Sequence, residues 1–460
     1  MKGYDLIIKN GIIVTPSEEF VADIGICQGK VMDISQKLLN GKNIIDAKGK
    51  YVIPGGIDIH THIDAPLHGS NTMDDWYEAT CSAAYGGVTC VVDYPIQEEG
   101  QTLRDVISNS MKKAEDKSIL DYSFSPVITR RTDEGYKEIA ELIKEGFTTY
   151  KVFMAYSFRA RDEELIKLLD VISSNGGILG VHAENDWAIE YMANKMISEG
   201  KTEPIYHCLS RPPVTEEEAT GRVIRLAEMV KAPVLIVHVS AKGALEEIEN
   251  ARRRGNPVYG ETCPHFLTLD QDLYNQPVEE AAKYVVTPPL RENEHRLALW
   301  SGLSSGALSL VSSDHCAFSL KEKLRLGSGA FNKIPHGAPG IETRIPILFS
   351  EGVVKKRITI NKFVELVSTN PAKIAGLYPS KGTISIGSDA DITIIDPEKE
   401  MKISTAKLHS VCDFTPFEGF IVKGIPSVVI KGGKVIVSGD ELFAIPGDGN
   451  HIKRNSFKAF

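Results

Sequence analysis

Nowhere in the 460 residues do eighteen apolar side chains run together, which argues against a membrane-spanning helix. A basic stretch is missing as well. With 52 Lys and Arg against 61 Asp and Glu, a formal charge of −9, nothing displaces counterions from nucleic acid or anionic lipid, and neither is expected as a partner. Met1 to Lys30 has no basic start followed by an apolar core and cleavage site, so a cytoplasmic location is expected. There is no Cys-x-x-Cys: the seven cysteines are odd in number, far apart and mostly inside apolar runs, as reduced core thiols are. Internal repeats and low-complexity tracts are absent too. What is present is a globular composition, 42% hydrophobic and 25% charged, long enough for one large domain and a smaller one, with a small neutral molecule as its expected substrate.

The two ends of the chain share one texture. Short alternating strands broken by turns run from Asp5 to Ile53 and return after Gly382, which predicts one β-sandwich built from both termini, residues 1–54 and 381–460, with a polar tail over the last ten residues. The middle, residues 55–380, alternates β-branched runs with segments of 3.6-residue periodicity. Eight strands are expected, at about 56–62, 88–94, 121–128, 148–154, 177–183, 233–239, 257–263 and 308–314. Helices are expected between them, among them 102–114, 133–144, 162–174, 216–230, 242–253 and 292–303. Eight β-α units make an α/β chain with a (β/α)₈ TIM barrel, whose chemistry sits at the C-terminal ends of the strands. The Gly- and Pro-rich segment 327–340 reads as a loop over that mouth.

Polar residues collect at those ends. Pro54, Gly55 and Gly56 turn the chain into the first strand, and His60 and His62, two apart, project from one face of it, with Asp58 before them. Lys151, His182, His238 and Asp314 close apolar strands four, five, six and eight. One such residue is ordinarily a satisfied core group; five strands ending this way converge on a single point. Imidazole and carboxylate suit zinc, with manganese or another first-row ion as the alternative. An ammonium cannot ligate a cation, but burial lowers a lysine pKa, and a neutral amine adds CO₂ to become a carbamate anion with two oxygens.

These residues carry a resemblance. The ordered set His60-x-His62, Lys151, His182, His238, Asp314 resembles the binuclear amidohydrolase superfamily. Asp-Ile-His-Thr-His-Ile-Asp, Gly-Val-His-Ala-Glu-Asn, Thr-Pro-Pro-Leu-Arg, Ser-Asp-His-Cys-Ala-Phe and Lys-Ile-Pro-His-Gly-Ala-Pro-Gly-Ile-Glu are similar to its dihydropyrimidinase and hydantoinase branch of cyclic amidases. The resemblance implies a barrel with a flanking β-sandwich, usually a homotetramer, and two zinc ions bridged by N6-carboxylated Lys151 and a hydroxide. It assigns His60, His62 and Asp314 to the more buried metal and His182 and His238 to the more exposed one. It implies that Asp314 moves the proton, that Tyr156 stabilises the oxyanion, and that Thr287 and His336 hold the substrate ring. Serine is more usual at the first of those two positions and asparagine at the second.

The implied reaction is metal-dependent opening of a hydantoin or dihydropyrimidine to an N-carbamoyl amino acid. Allantoinase shares the ligand set and is the alternative. Dihydroorotase fits less well, because Asp64 stands where those enzymes typically carry an arginine for the substrate carboxylate. A non-enzymatic scaffold of the collapsin-response type, which has lost ligands, fits least, since all six ligand positions are filled. His315 and His265 are expected to support the site or the fold rather than to bind metal.

Overall fold

Strands buried on both faces are rich in apolar residues, and the eight strands around the barrel axis are buried along their whole length, with Asp58, His60, Lys151 and Glu261 among the few charged or imidazole side chains in them. In a computed structural model, which describes residues 3–460, they are Gly56–Thr61, Val88–Asp93, Asp121–Phe124, Thr149–Phe153, Ile178–His182, Val234–Ile236, Val258–Thr262 and Leu310–Val311. Each lies inside its expected span. The first three pair in parallel, as do the last five. Parallel bridges from Val127 to Lys151 and from Thr61 to His315 close the ring. Inside it Ile57, Ile59, Val92, Ile178 and Leu235 pack with Ile374 and Leu377, so the barrel is a core and not a pore.

Local chemistry sets the helix limits. Thr102 caps Leu103–Ala114 by a reciprocal pair of bonds with Asp105, and Gly146, at φ 105°, ends Asp133–Glu145 in a left-handed turn open to glycine. The helix expected from residue 216 begins three residues earlier, at Pro213, whose fixed φ suits a first turn. No helix among the described residues is long and apolar enough to cross a membrane. All seven cysteines are unpaired thiols.

Strands from the two termini share one nine-stranded sheet, in which Tyr51–Pro54 pairs with Ile392–Lys402. The sheet curls so that the turn at Gly29 near one edge reaches the segment leading into Ile392–Lys402: Ala390 N donates to Gly29 O and Gly433 N to Ala390 O. Ile8, Ile24, Ile26, Ile392, Ile394 and Ile430 fill the enclosed space. The expected polar tail is instead a docked segment. Residues 450–457 run beneath the barrel, exchanging main-chain bonds with Tyr122, Gly146, Gly376 and Gly176. Arg454 inserts between Phe124 O and Thr149 Oγ1. Its apolar anchors, Ile452 and Phe457, are too widely spaced to show a period.

A buried ionic knot joins barrel to sheet. Lys381 Nζ bonds Asp121 at 2.6 Å and also Asp391, and Lys431 Nζ reaches Asp121 at 3.1 Å. Removing one partner of such a group strands the others in low dielectric. Lys381→Met is therefore expected to cost about 3–5 kcal/mol, read as a lowered urea unfolding midpoint; an unchanged midpoint would show that the knot adds nothing.

Candidate metal centre and active site

Strand pleating delivers the ligand atoms. His60 Nδ1 lies 2.5 Å from Glu261 Oε1, so the ring proton sits there and Nε2 is bare. That bare nitrogen faces Lys151 Nζ at 2.6 Å and Asp314 Oδ1 at 3.1 Å, with His62 Nε2 3.6 Å from the same carboxylate oxygen. Lone pairs aimed at a carboxylate repel unless a proton or a metal cation lies between them; burial and Lys151 lower the His60 imidazole, but Asp314 and Glu261 outweigh them and raise it. The ligand atoms of His60, His62 and Asp314 all fall within 4.8 Å of one another, close enough to hold one ion.

The second pair obeys the same logic. His182 donates Nε2–H to Glu184 Oε2 at 2.8 Å, leaving Nδ1 to face His238 Nε2 at 2.9 Å. Burial holds His62, His182 and His238 below the usual imidazole range, hence neutral and fit to ligate. Burial also lowers Lys151, the condition for a neutral amine. His238, Asp314 and Tyr156 have φ of 41°, 50° and 69°, backbone strain of the kind that accompanies fixed functional geometry. The donors of His60, His62 and Asp314 fit a divalent cation.

His62, Lys151, Tyr156, His182, His238, Thr287, Asp314 and His336 line one cavity of 310 Å³; His60 is fully buried behind them. Every position expected from the sequence is thus brought together. Phe153, Phe158 and Leu67 form apolar wall. Tyr156 Oη is 3.5 Å from His336 Nδ1, which is 2.8 Å from Thr287 Oγ1.

Sequence reasoning passed over the groups that hold the ligands. Glu261 is a lone acid after Gly260 in an apolar strand; Glu184, two residues after His182, is on its face by parity. Burial alone would raise the Glu184 carboxyl, but Arg211, 2.8 Å away, and His182 outweigh it and hold the group at about 2. Arg211 gave no signal in the sequence. His315 bonds Asp74 and accepts from Gly340 N at 3.1 Å, a strut between mouth loop and barrel, as expected. Asp64 lines a different pocket from the ligand residues and pairs with Lys113 at 3.2 Å.

A profile of the amidohydrolase family matches residues 51–436. The chain belongs to the amidohydrolase family. This amidohydrolase is 45% identical over 457 residues to a D-hydantoinase of Geobacillus stearothermophilus, covering 98% of this chain and 97% of that one. It is 43% identical over 456 residues to a D-hydantoinase of Ralstonia pickettii, covering 99% and 100%. Among solved structures, a dihydropyrimidinase from Brevibacillus agri NCHU1002 superposes with a TM-score of 0.96 at 42% identity, covering 98% of this chain and 99% of that one.

Burial holds two further histidines of the amidohydrolase neutral, His207 at about 3 and His265 at about 4. Unfolded, each binds a proton near 6.5. As pH falls from 6.5 toward 4 only the unfolded chain takes up these protons, so stability drops by about 1.4 kcal/mol per histidine per pH unit. Urea midpoints at pH 7.5, 6 and 5 are expected to decrease in that order; a flat series would contradict the assignment.

Proposed function

We propose that the chain hydrolyses the cyclic amide bond of 5-substituted hydantoins, and of dihydropyrimidines, to N-carbamoyl amino acids. One observation carries the reading: five of the six expected ligand residues line the same cavity as Tyr156, Thr287 and His336, with His60 buried directly behind them. The names of the relatives above support a D preference.

His60, His62 and Asp314 would hold one divalent cation and His182 and His238 another, with N6-carboxylated Lys151 shared between them; zinc suits these ligands best. Cations held there would supply Lewis-acid chemistry, lowering the pKa of a water to about 7 and polarising the scissile carbonyl. Asp314 takes a proton from the attacking water and returns it to the leaving amide nitrogen. Tyr156 donates its phenolic hydrogen to the oxyanion, while main-chain groups around Thr287 hold the imide edge. Glu261 and Glu184 fix the tautomers of His60 and His182. Glu261→Gln is expected to weaken metal binding by about 10–100-fold, measured by competition with a chelator; unchanged affinity would remove Glu261 from this role.

We infer a homotetramer in the cytoplasm. Exposed Trp187 and Tyr191, on one face of helix Asp186–Ser198, are apolar surface that an assembly would cover. The functional test is turnover of D- and L-phenylhydantoin, dihydrouracil, allantoin and dihydroorotate by zinc-loaded protein with bicarbonate. Hydantoin or dihydrouracil opening is expected. Turnover confined to the last two compounds would overturn the proposal.

A further inference from the structure

Irregular backbone has carbonyls that no helix or strand satisfies, and where it is buried those carbonyls need donors from side chains. Residues 285–287 and 336–337 are two such segments. All are buried, none lies in a helix or strand, and Val286, Thr287, His336 and Gly337 line the cavity.

Two buried side chains supply the donors. Lys323 Nζ donates to Gly337 O at 2.6 Å and to Val285 O at 3.1 Å, tying one segment to the other. Gly337 N donates to Val285 O at 3.0 Å, so Gly337 is held by both its N–H and its carbonyl. His207 Nε2 lies 2.8 Å from Val286 O, and since a carbonyl only accepts, the imidazole donates. The two carbonyls that precede Thr287 are thus fixed by side chains from different helices, Leu320–Leu326 and Ile205–Leu209. The tie reaches the metal ligands as well. Gly337 has φ 150°, and a Cβ there would sit 2.6 Å from Cys316 O, two residues beyond Asp314.

Stability alone does not favour a lysine at position 323. The side chain is fully buried, Nζ forms no ion pair among the described residues, and the Phe414 ring lies 5.5 Å away. Methionine would fill a similar volume without burying an amine. Burial lowers this amine to about 7, yet two acceptors need only two N–H groups, which the neutral form also carries. What the position supplies is a pair of donors at that reach. The helix bearing it is seated at both ends: Leu320 N donates to Asp413 Oδ1 at 2.9 Å, and a Cβ on Gly327 would overlap Ile334 of the mouth loop.

We propose that Lys323 and His207 are positioning residues for ring binding: by holding the carbonyls of Gly337, Val285 and Val286 they fix the main chain of Thr287 and His336 where a cyclic imide is bound beside the metal ligands. The inference rests on the hydantoinase reading of the site.

The test is steady-state kinetics of the zinc-loaded protein with hydantoin itself and with D-phenylhydantoin. Lys323→Met and His207→Phe are each expected to raise KM about tenfold, as the loss of such hydrogen bonds from a binding wall would. In both, kcat changes by less than about threefold, because ground state and transition state lose the same contact. The rise is equal for the two substrates, since the tie serves the ring and not the 5-substituent. Lys323→Gln, which keeps an amide donor, raises KM less than Lys323→Met. A role confined to stability would instead reduce the active fraction, lowering kcat per chain with KM unchanged, and that result overturns the inference. A rise in KM confined to D-phenylhydantoin overturns it too, because it would place both residues in the substituent pocket. Zinc content and thermal midpoint show which variants fold; if Lys323→Met does not, the KM of Lys323→Gln decides. Wild type that opens hydantoins while the Lys323 variants keep its KM overturns the tie alone. Wild type inactive on every hydantoin and dihydropyrimidine overturns the functional reading and the tie with it.

Discussion

Lys151→Ala is expected to abolish ring opening. On the proposed reading the alanine offers no carbamate, so the residues around it would lose the anion that two cations would share. A Lewis-acid contribution of several kcal/mol disappears with it, a fall in kcat of about 10³-fold or more. The metal-free fold should survive, because there Lys151 is fully buried at 2.6 Å from an imidazole and has no close carboxylate bond. The amine costs more to bury than a methyl group. The variant is thus expected to fold, to bind less metal, and to regain part of its activity when a short carboxylate such as propionate enters the vacated volume. Activity near the wild-type level in Lys151→Ala, measured as hydantoin consumed per second, would remove the lysine from the chemistry.

Tyr156→Phe carries the second large effect. The phenol stands in the cavity wall on a residue held at φ 69°. Burial, the largest influence on it, raises its pKa, so it is protonated and a donor throughout the working range. Losing one oxyanion donor costs about 10²–10³ in kcat. KM should change little, since the bond strengthens only as charge develops on the carbonyl oxygen. Equal losses in kcat and binding would instead make Tyr156 a substrate clamp.

The barrel was legible because each of its strands is an apolar run closed by a polar residue or a turn, and the period separates those runs from the helices. His60, His62, Lys151, His182, His238 and Asp314 were legible for the same reason: a charged or imidazole side chain at the end of a buried strand has few structural uses. Residues that act through those ligands left weaker marks. Glu261 and Glu184 sit beside motifs, yet the bonds that matter, to His60 and His182, depend on how neighbouring strands align. Arg211 comes from a segment with no strand pattern, and its pairing with Glu184 is a product of the loop's path. The tail failed for a different reason. Arg454 reads as a surface charge until the floor of the barrel is closed around it. Thr287 and His336, forty-nine residues apart, were each readable as a departure from the usual residue, but only the fold shows that the two departures meet.

The most direct measurement is the formation of N-carbamoyl-D-phenylglycine from D-phenylhydantoin by protein carrying two zinc ions per chain, followed through chelation and zinc restoration. Hydrolysis is expected to be lost on chelation and to return as the second ion is replaced, with bicarbonate present throughout. Protein that folds around the same cavity but binds no metal, or hydrolyses the hydantoin equally well without it, would contradict it.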